Sequence, residues 1–253
     1  MHILVVENYE GTDLGLLGRA LAEAGASLDV RRPYLGDPLP ETHDDHDALA
    51  VMGGEQSAVS DADYPHLLPL TRLMRAFGDA DKSVLGICLG SQLLARAYGG
   101  ENRVGGHREF GWCPVTLLPA GQEDPVLSAA GDCFRIFEWH DDSFTLPEGA
   151  VHLATGSIDN QAFRIGRAAY GTQFHFEAGL DVVDAWRTRS AATIADKAPG
   201  WLEHYDDEVR AHAGDAERAG LALARAWIGT IRPRAGGAAA ARKQAENDAT
   251  TTG

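Results

Sequence analysis

Four short strand-like runs set the first constraint on the fold: the largely apolar "HILVVEN" (2–8), "ALAVMGG" (48–54) and "SVLGI" (83–87), and the more polar "SLDVRRP" (27–33). Runs of this length with little alternation suit strands covered on both faces, as in a parallel sheet. Helical patterns separate them. Between residues 11 and 24, Leu14, Leu17, Leu21 and Ala24 share one helical face, and Gly25 ends the pattern. From about Tyr64 to Gly78, Leu67, Leu70, Leu73, Met74 and Phe77 form a second stripe, and "SQLLARAYG" opens a third helix directly after "SVLGI". Strand and helix in alternation predict an α/β fold: a mainly parallel central sheet flanked by helices.

After Gly99 the pattern changes. "FGWCPVTLLP", "FRIFEWHDDSF", "VHLATGS", "QAFRIG" and "AAYGTQFHF" are short extended runs broken by turn residues, and predict a smaller antiparallel or mixed extension of the sheet. Helices return from about Gly179, with a long one from about Asp206 to Ile228. From Arg232 no large apolar side chain remains, and residues 232–253 are expected to be a disordered tail. The economical reading is one domain over residues 1–230, with its core at about 1–190 and C-terminal helices at about 191–230.

Composition narrows the function classes. The formal charge is −15, from 22 basic and 37 acidic residues, the wrong sign for a surface that binds nucleic-acid phosphates. No apolar run approaches the roughly 20 residues a membrane span needs, and "MHILVVEN" lacks the basic start of a signal peptide. Three cysteines at irregular spacing give no disulfide framework. A cytoplasmic protein with neither a nucleic-acid nor a membrane partner is expected.

One of those cysteines sits in "GICLG", with Gly86 and Gly90 each two residues from Cys88, where a strand runs into a helix. A nucleophile on a sharp strand-to-helix turn tolerates little side-chain bulk around it, which accounts for the glycines. The helix that follows turns its positive end toward the sulfur and favours a thiolate, and the N–H of Leu89 is free for an oxyanion. A buried structural thiol is the other reading of such a cysteine. A nucleophilic cysteine needs a base, and the base an orienting group. "GTQFHFE" (171–177) presents His175 and Glu177 two apart in an extended run, on one face; taken alone, the pair could equally be two polar groups on an exposed strand.

In combination, "GICLGSQLLA" and, far downstream, "GTQFHFE" resemble the class I glutamine amidotransferases. "MGGEQSAVSDADYPHL", "EFGW" and "EWHDDSF" resemble further segments of that family in the same order, over roughly residues 1–190, most like its free-standing, GMP-synthase-like members. The resemblance implies a flavodoxin-like architecture and a triad of Cys88 (nucleophile), His175 (general base and acid) and Glu177 (orienter). It implies an oxyanion hole from the N–H groups of Gly54 and Leu89, and substrate contacts from Gly53, Gln92 and the main chain of Asp141 and Asp142. It calls for no cofactor and no metal. The implied reaction is attack on the γ-carbonyl of glutamine through a γ-glutamyl thioester. No P-loop or synthetase-sized domain follows, so an ammonia acceptor is expected on a separate synthetase chain. A stand-alone hydrolase of γ-glutamyl amines or peptides is the alternative, and a more distant one is a non-catalytic regulatory role.

Three positions depart from the family pattern: Glu55 in place of proline, Asp141 in place of glycine, and Phe176 in place of the proline between His175 and Glu177. Glu55 and Asp141 are expected to add negative charge to the pocket and to favour a γ-glutamyl substrate bearing a cation. Cys113 and Cys133 read as ordinary buried thiols, and "ETHDDHD" (41–47) as an acidic loop and not a metal site. Trp112 and Trp139 read as core residues or pocket walls, His107 and Arg108 as solvated or reaching the cleft, and the acidic residues of the last helix as a solvated face.

Overall fold

The computed structural model describes residues 1–234. Strands β1 (His2–Val6), β2 (Ser27–Arg31), β3 (Ala48–Val51) and β4 (Ser83–Ile87) fall on the four expected runs. Helices α1 (Gly15–Glu23), α2 (Leu67–Asp79) and α3 (Leu89–Ala97) separate or follow them. All five residues of the α2 stripe are buried. Beyond α3 come β5 (Asn102–Arg103), β6 (Glu109–Leu117), the short α4 (Pro119–Gln122), β7 (Cys133–His140), β8 (Ser143–Phe144), β9 (Val151–Thr155), β10 (Ala162–Ile165) and β11 (Ala169–Thr172). The last elements are α5 (Leu180–Arg189), α6 (Ala191–Lys197), α7 (Tyr205–Glu208) and α8 (Gly214–Ile228). A π-helical turn over Val209–Ala213 joins α7 to α8, so the long helix expected from about Asp206 to Ile228 runs on through a π-bulge.

One nine-stranded sheet runs in the order β2-β1-β3-β4-β11-β10-β9-β6-β7. β2, β1, β3, β4 and β11 pair in parallel; β10, β9, β6 and β7 are antiparallel. The α/β architecture with a mainly parallel core is as expected, with one correction. β11 belongs to that core and not to the extension, because it lies parallel beside β4 with Gly171 opposite Gly86. The antiparallel strands continue the main sheet, and β5 and β8 form a separate two-stranded ribbon.

Two buried clusters cover the faces of the sheet. In the first, α1 and α8 pack together: Leu17, Leu21, Leu223 and Trp227 are among its members. α2 and α3 cover the second, with Leu70, Met74, Phe77, Leu93 and Leu94. At the C-terminal end, Arg232 pairs with Asp81 at 2.6 Å and Arg234 with Asp47 at 3.0 Å. Residues 232–234 are therefore held against the body; the rest of the expected tail, 235–253, lies outside the described residues. No described helix is long and apolar enough to cross a membrane.

Candidate active site

β3, β4 and β11 are neighbours, and the chain leaves their C-terminal ends at Met52, Cys88 and Gln173. An open parallel sheet collects its ligand groups in the crevice beyond those ends. Cys88 sits there with φ +52° and ψ −109°, a left-handed conformation rare outside glycine. Its N–H donates to Thr172 O at 2.8 Å, and its carbonyl accepts from Ser91 Oγ at 2.7 Å. The flanking glycines are needed for space. A Cβ on Gly86 would lie 2.3 Å from Gly90 O, and one on Gly90 2.1 Å from Val51 O.

His175 and Glu177 follow β11. His175 N–H donates to Phe137 O at 2.8 Å, and the Nδ1–H of its ring donates to Glu177 Oε1 at 2.7 Å. Cys88 stands close to the same ring: both lie against Gly53, and the Cys88 Sγ–H is directed at Trp139 O at 3.7 Å. Burial by itself would pull the His175 pKa down; the charge of Glu177, the nearby Cys88 sulfur and the hydrogen bond to Glu177 outweigh it and hold the value well above the ordinary one. The three residues thus lie in the order sulfur, imidazole, carboxylate, the arrangement in which a base could serve a nucleophile. Phe176, between the two, is buried in the core, so the departure from proline leaves the spacing intact.

Gly53 and Gly54 come after β3. A Cβ at Gly53 would lie 3.1 Å from His175 Cε1 and 3.6 Å from Cys88 Cβ, so the loop passes directly over the pair. Among the described residues no acceptor takes the N–H of Gly54 or of Leu89. Both residues line the cavity next to Cys88, and Leu89 opens α3, where N–H groups have no partner within the helix. The loop is braced from β1: Asn8 Nδ2 donates to Met52 O at 2.8 Å, and Gln56 Nε2 donates to Asn8 O at 2.8 Å.

Gln92, Asp141 and Asp142 line the same cavity, of about 370 Å³. Gln92 Nε2 donates to Asp142 O at 3.4 Å and to Gln173 Oε1 at 3.2 Å. The carbonyl of Asp141 is taken by His107 N–H at 3.1 Å, which leaves less of its main chain free for substrate than expected. The Asp141 side chain corrects a second expectation. It binds Arg108 at 2.6 Å and also Lys197, and although burial opposes it, these two cations hold its carboxyl below the usual range. Asp141 therefore brings two positive charges with its one negative charge, and does not make the pocket attractive to a cation.

Several wall residues had no signal in the sequence. Trp186 lies edge-on to His175 with ring centroids 5.0 Å apart, and Arg189 of α5, Ser190 between the helices, and Thr193 and Lys197 of α6 extend that wall. Trp139 lines the cavity, whereas Trp112 is buried in the core. Of the other cysteines, Cys113 is half-buried, and burial pushes its thiol up to about 12. Cys133 is exposed, contrary to expectation, because it starts edge strand β7 on the face turned to solvent. His46, from the acidic loop, stacks on His2 and lies 3.0 Å from Asp29, whose carboxylate is already bound to Arg31 at 2.7 Å.

The chain is similar to known proteins over most of its length. The family model for "Glutamine amidotransferase class-I" matches residues 4–185. The glutamine amidotransferase-like protein YfeJ of Salmonella typhimurium is 30% identical over 78% of this chain and 83% of its own length. One subunit of the glutamine-hydrolysing GMP synthase of Natronomonas pharaonis is 32% identical over 73% of this chain and 95% of its own. Among solved structures, a glutamine amidotransferase from Thermotoga maritima superposes with a TM-score of 0.79 at 26% identity, covering 90% of this chain and 98% of that one. One from Methylobacillus flagellatus gives 0.80 at 28%, covering 92% and 96%. Fold, site geometry and sequence agree: the chain is an enzyme of the class I glutamine amidotransferase family.

Proposed function

We propose that the protein hydrolyses the γ-amide of glutamine with Cys88 as nucleophile, His175 as general base and acid, and Glu177 as the group that orients and charges His175. The observation that carries this reading is the trio gathered beyond the ends of adjacent strands: His175 Nδ1 lies 2.7 Å from Glu177, and the His175 ring and Cys88 lie together against Gly53. The Cys88 sulfur attacks the carbonyl carbon of the γ-carboxamide, and the N–H groups of Gly54 and Leu89 receive the developing oxyanion. As the C–N bond breaks, His175 gives its proton to the departing ammonia and a γ-glutamyl thioester remains. Water attacks the thioester, His175 takes its proton, the C–S bond breaks, and glutamate leaves. Gly53, Gln92 and the Asp141–Asp142 main chain hold the amino-acid end of the substrate.

A relative named as one subunit of a glutamine-hydrolysing GMP synthase is matched over 95% of its length. That supports an ammonia acceptor on a separate synthetase chain. A second reading, a stand-alone hydrolase of larger γ-glutamyl amides, is favoured by the wall that Arg189, Ser190, Thr193 and Lys197 add beyond the matched residues 4–185. Glutamate release by purified protein from glutamine and from γ-glutamyl peptides, with Cys88→Ala alongside, separates them. Slow, Cys88-dependent turnover of glutamine with the peptides inert supports the amidotransferase. Faster turnover of the peptides supports the hydrolase, and no Cys88-dependent turnover of either refutes both.

A further inference from the structure

Beside the triad lies a second buried ionisable group that the reaction scheme does not use. Glu109 on β6 and His140 on β7 are directly paired across the strands, and Glu138 shares a face with His140 two residues earlier. All three are buried, Glu138 completely.

Both ring nitrogens of His140 face acceptors. Nδ1 lies 3.0 Å from the carbonyl oxygen of Asp142. Nε2 lies 3.1 Å from Glu109 Oε2 and 3.4 Å from Glu138 Oε2. A carbonyl oxygen has no proton to give, and Glu109 is already an acceptor for Ser157 Oγ and Gln161 Nε2, as an ionised carboxylate is. A neutral imidazole carries one N–H, so it would leave a buried lone pair against another; an imidazolium satisfies both contacts. The surrounding charges agree. Burial by itself would lower the His140 pKa, but the hydrogen bonds and charges of Glu109 and Glu138, with the charge of Cys88, raise it to about 10.

The position matters because of what His140 holds. The Asp142 carbonyl on its Nδ1 is the one that also accepts from Gln92, and His140 itself lines the cavity with Cys88. We propose that His140 is a protonated positioning residue, an imidazolium clamped between Glu109 and the Asp142 carbonyl, which fixes the Asp142–Gln92 end of the cavity and offsets negative charge beside Cys88. The charged groups facing it are Glu109 from β6 and Glu138 from its own strand, and Cys88, from the end of β4, lines the same cavity, with the charge of His175 acting on Glu138 in turn.

The test has two arms, because the kinetic arm rests on the glutaminase reading and the spectroscopic one does not. In the full-length, 15N-histidine-labelled protein, the His140 ring, assigned by its loss in His140→Asn, should show two protonated nitrogens from pH 6 to 8.5. A ring with one unprotonated nitrogen at pH 7 overturns the proposal whatever the activity. In turnover, His140→Asn should raise KM for glutamine about tenfold while kcat stays within about threefold, the pattern of lost ground-state positioning. An unchanged KM, or a loss confined to kcat, overturns the positioning role. Glu109→Gln, which keeps the shape, should bring the His140 ring into titration below pH 8.5; a ring still doubly protonated there shows that Glu109 is not its clamp.

Discussion

Replacing Glu177 by glutamine removes one charge and almost no volume. In the wild type Glu177 and His175 are both buried, with Oε1 2.7 Å from the imidazole, and among the described residues Glu177 Oε2 has no hydrogen-bond partner. The carboxylate therefore spends its charge on the imidazole alone. Deleting one member of a buried ion pair costs about 3–5 kcal/mol, while the amide oxygen of glutamine still accepts from Nδ1 and recovers about 1 kcal/mol. The remaining 2–4 kcal/mol falls on the steps in which His175 must be positive, which corresponds to roughly a 30- to 1,000-fold loss in kcat. The sign of the pH effect follows as well. Glu177 is one of the groups that hold the His175 pKa well above its ordinary value, so without it the imidazolium is lost at lower pH. The variant's activity should thus fall off on the alkaline side earlier than the wild type's. Steady-state glutamate release from pH 5.5 to 10 measures both effects. A loss of under about threefold at neutral pH, or an alkaline limb that does not move, would refute the assignment of Glu177 as the charge behind His175.

Four further outcomes are expected. Cys88 holds φ +52°, so Cys88→Gly should be more stable than Cys88→Ala by about 1 kcal/mol in urea unfolding, the reverse of the usual order; the usual order would mean the turn carries no strain. Gly90→Ala adds a helix-favouring methyl 2.1 Å from Val51 O, and should lower stability by about 2–3 kcal/mol and abolish turnover; a stabilised, active variant would contradict the elbow geometry. Burial pushes the Glu138 carboxyl up to about 7, so the folded protein keeps a proton that the unfolded chain loses, and wild-type stability should fall as pH rises from about 4.5 through 7. Glu138→Gln should flatten that fall, worth roughly 3 kcal/mol at most; thermal unfolding at pH 5 and 8 decides, and an unchanged slope would contradict it. Because Asp141 is paired with Arg108 and Lys197, Asp141→Asn should leave unchanged the preference between glutamine and cationic γ-glutamyl amines, measured by competing substrates; a shift toward glutamine would restore the acidic-pocket idea.

Much of this site was legible because its requirements are local. A nucleophile on a strand-to-helix turn needs small neighbours, and Gly86 and Gly90 record that need within two residues of Cys88. His175 and Glu177 were legible as a pair from their spacing, although they meet across a turn after the end of β11 and not along a strand face. What the sequence hid depends on pairing over distance. That β11 joins the parallel core beside β4, and so delivers His175 to Cys88, is a register fact that alternation alone does not encode. Trp186 and Lys197 reach the cavity because α5 and α6 fold back over it, and neither carries a motif. Asp141 misled for the same reason: its charge is visible in the sequence, while Arg108, 33 positions away, and Lys197, 56 positions away, are not visible as its partners.

The central claim is covalent chemistry at Cys88, and intact-mass spectrometry of protein quenched in acid during glutamine turnover tests it most directly. The account predicts a species heavier by one glutamate less one water, carried on the peptide that contains Cys88, absent from Cys88→Ala and accumulating in a variant slowed at His175. Glutamate release at the wild-type rate by Cys88→Ala, or an adduct that maps to Cys113 or Cys133, would contradict it.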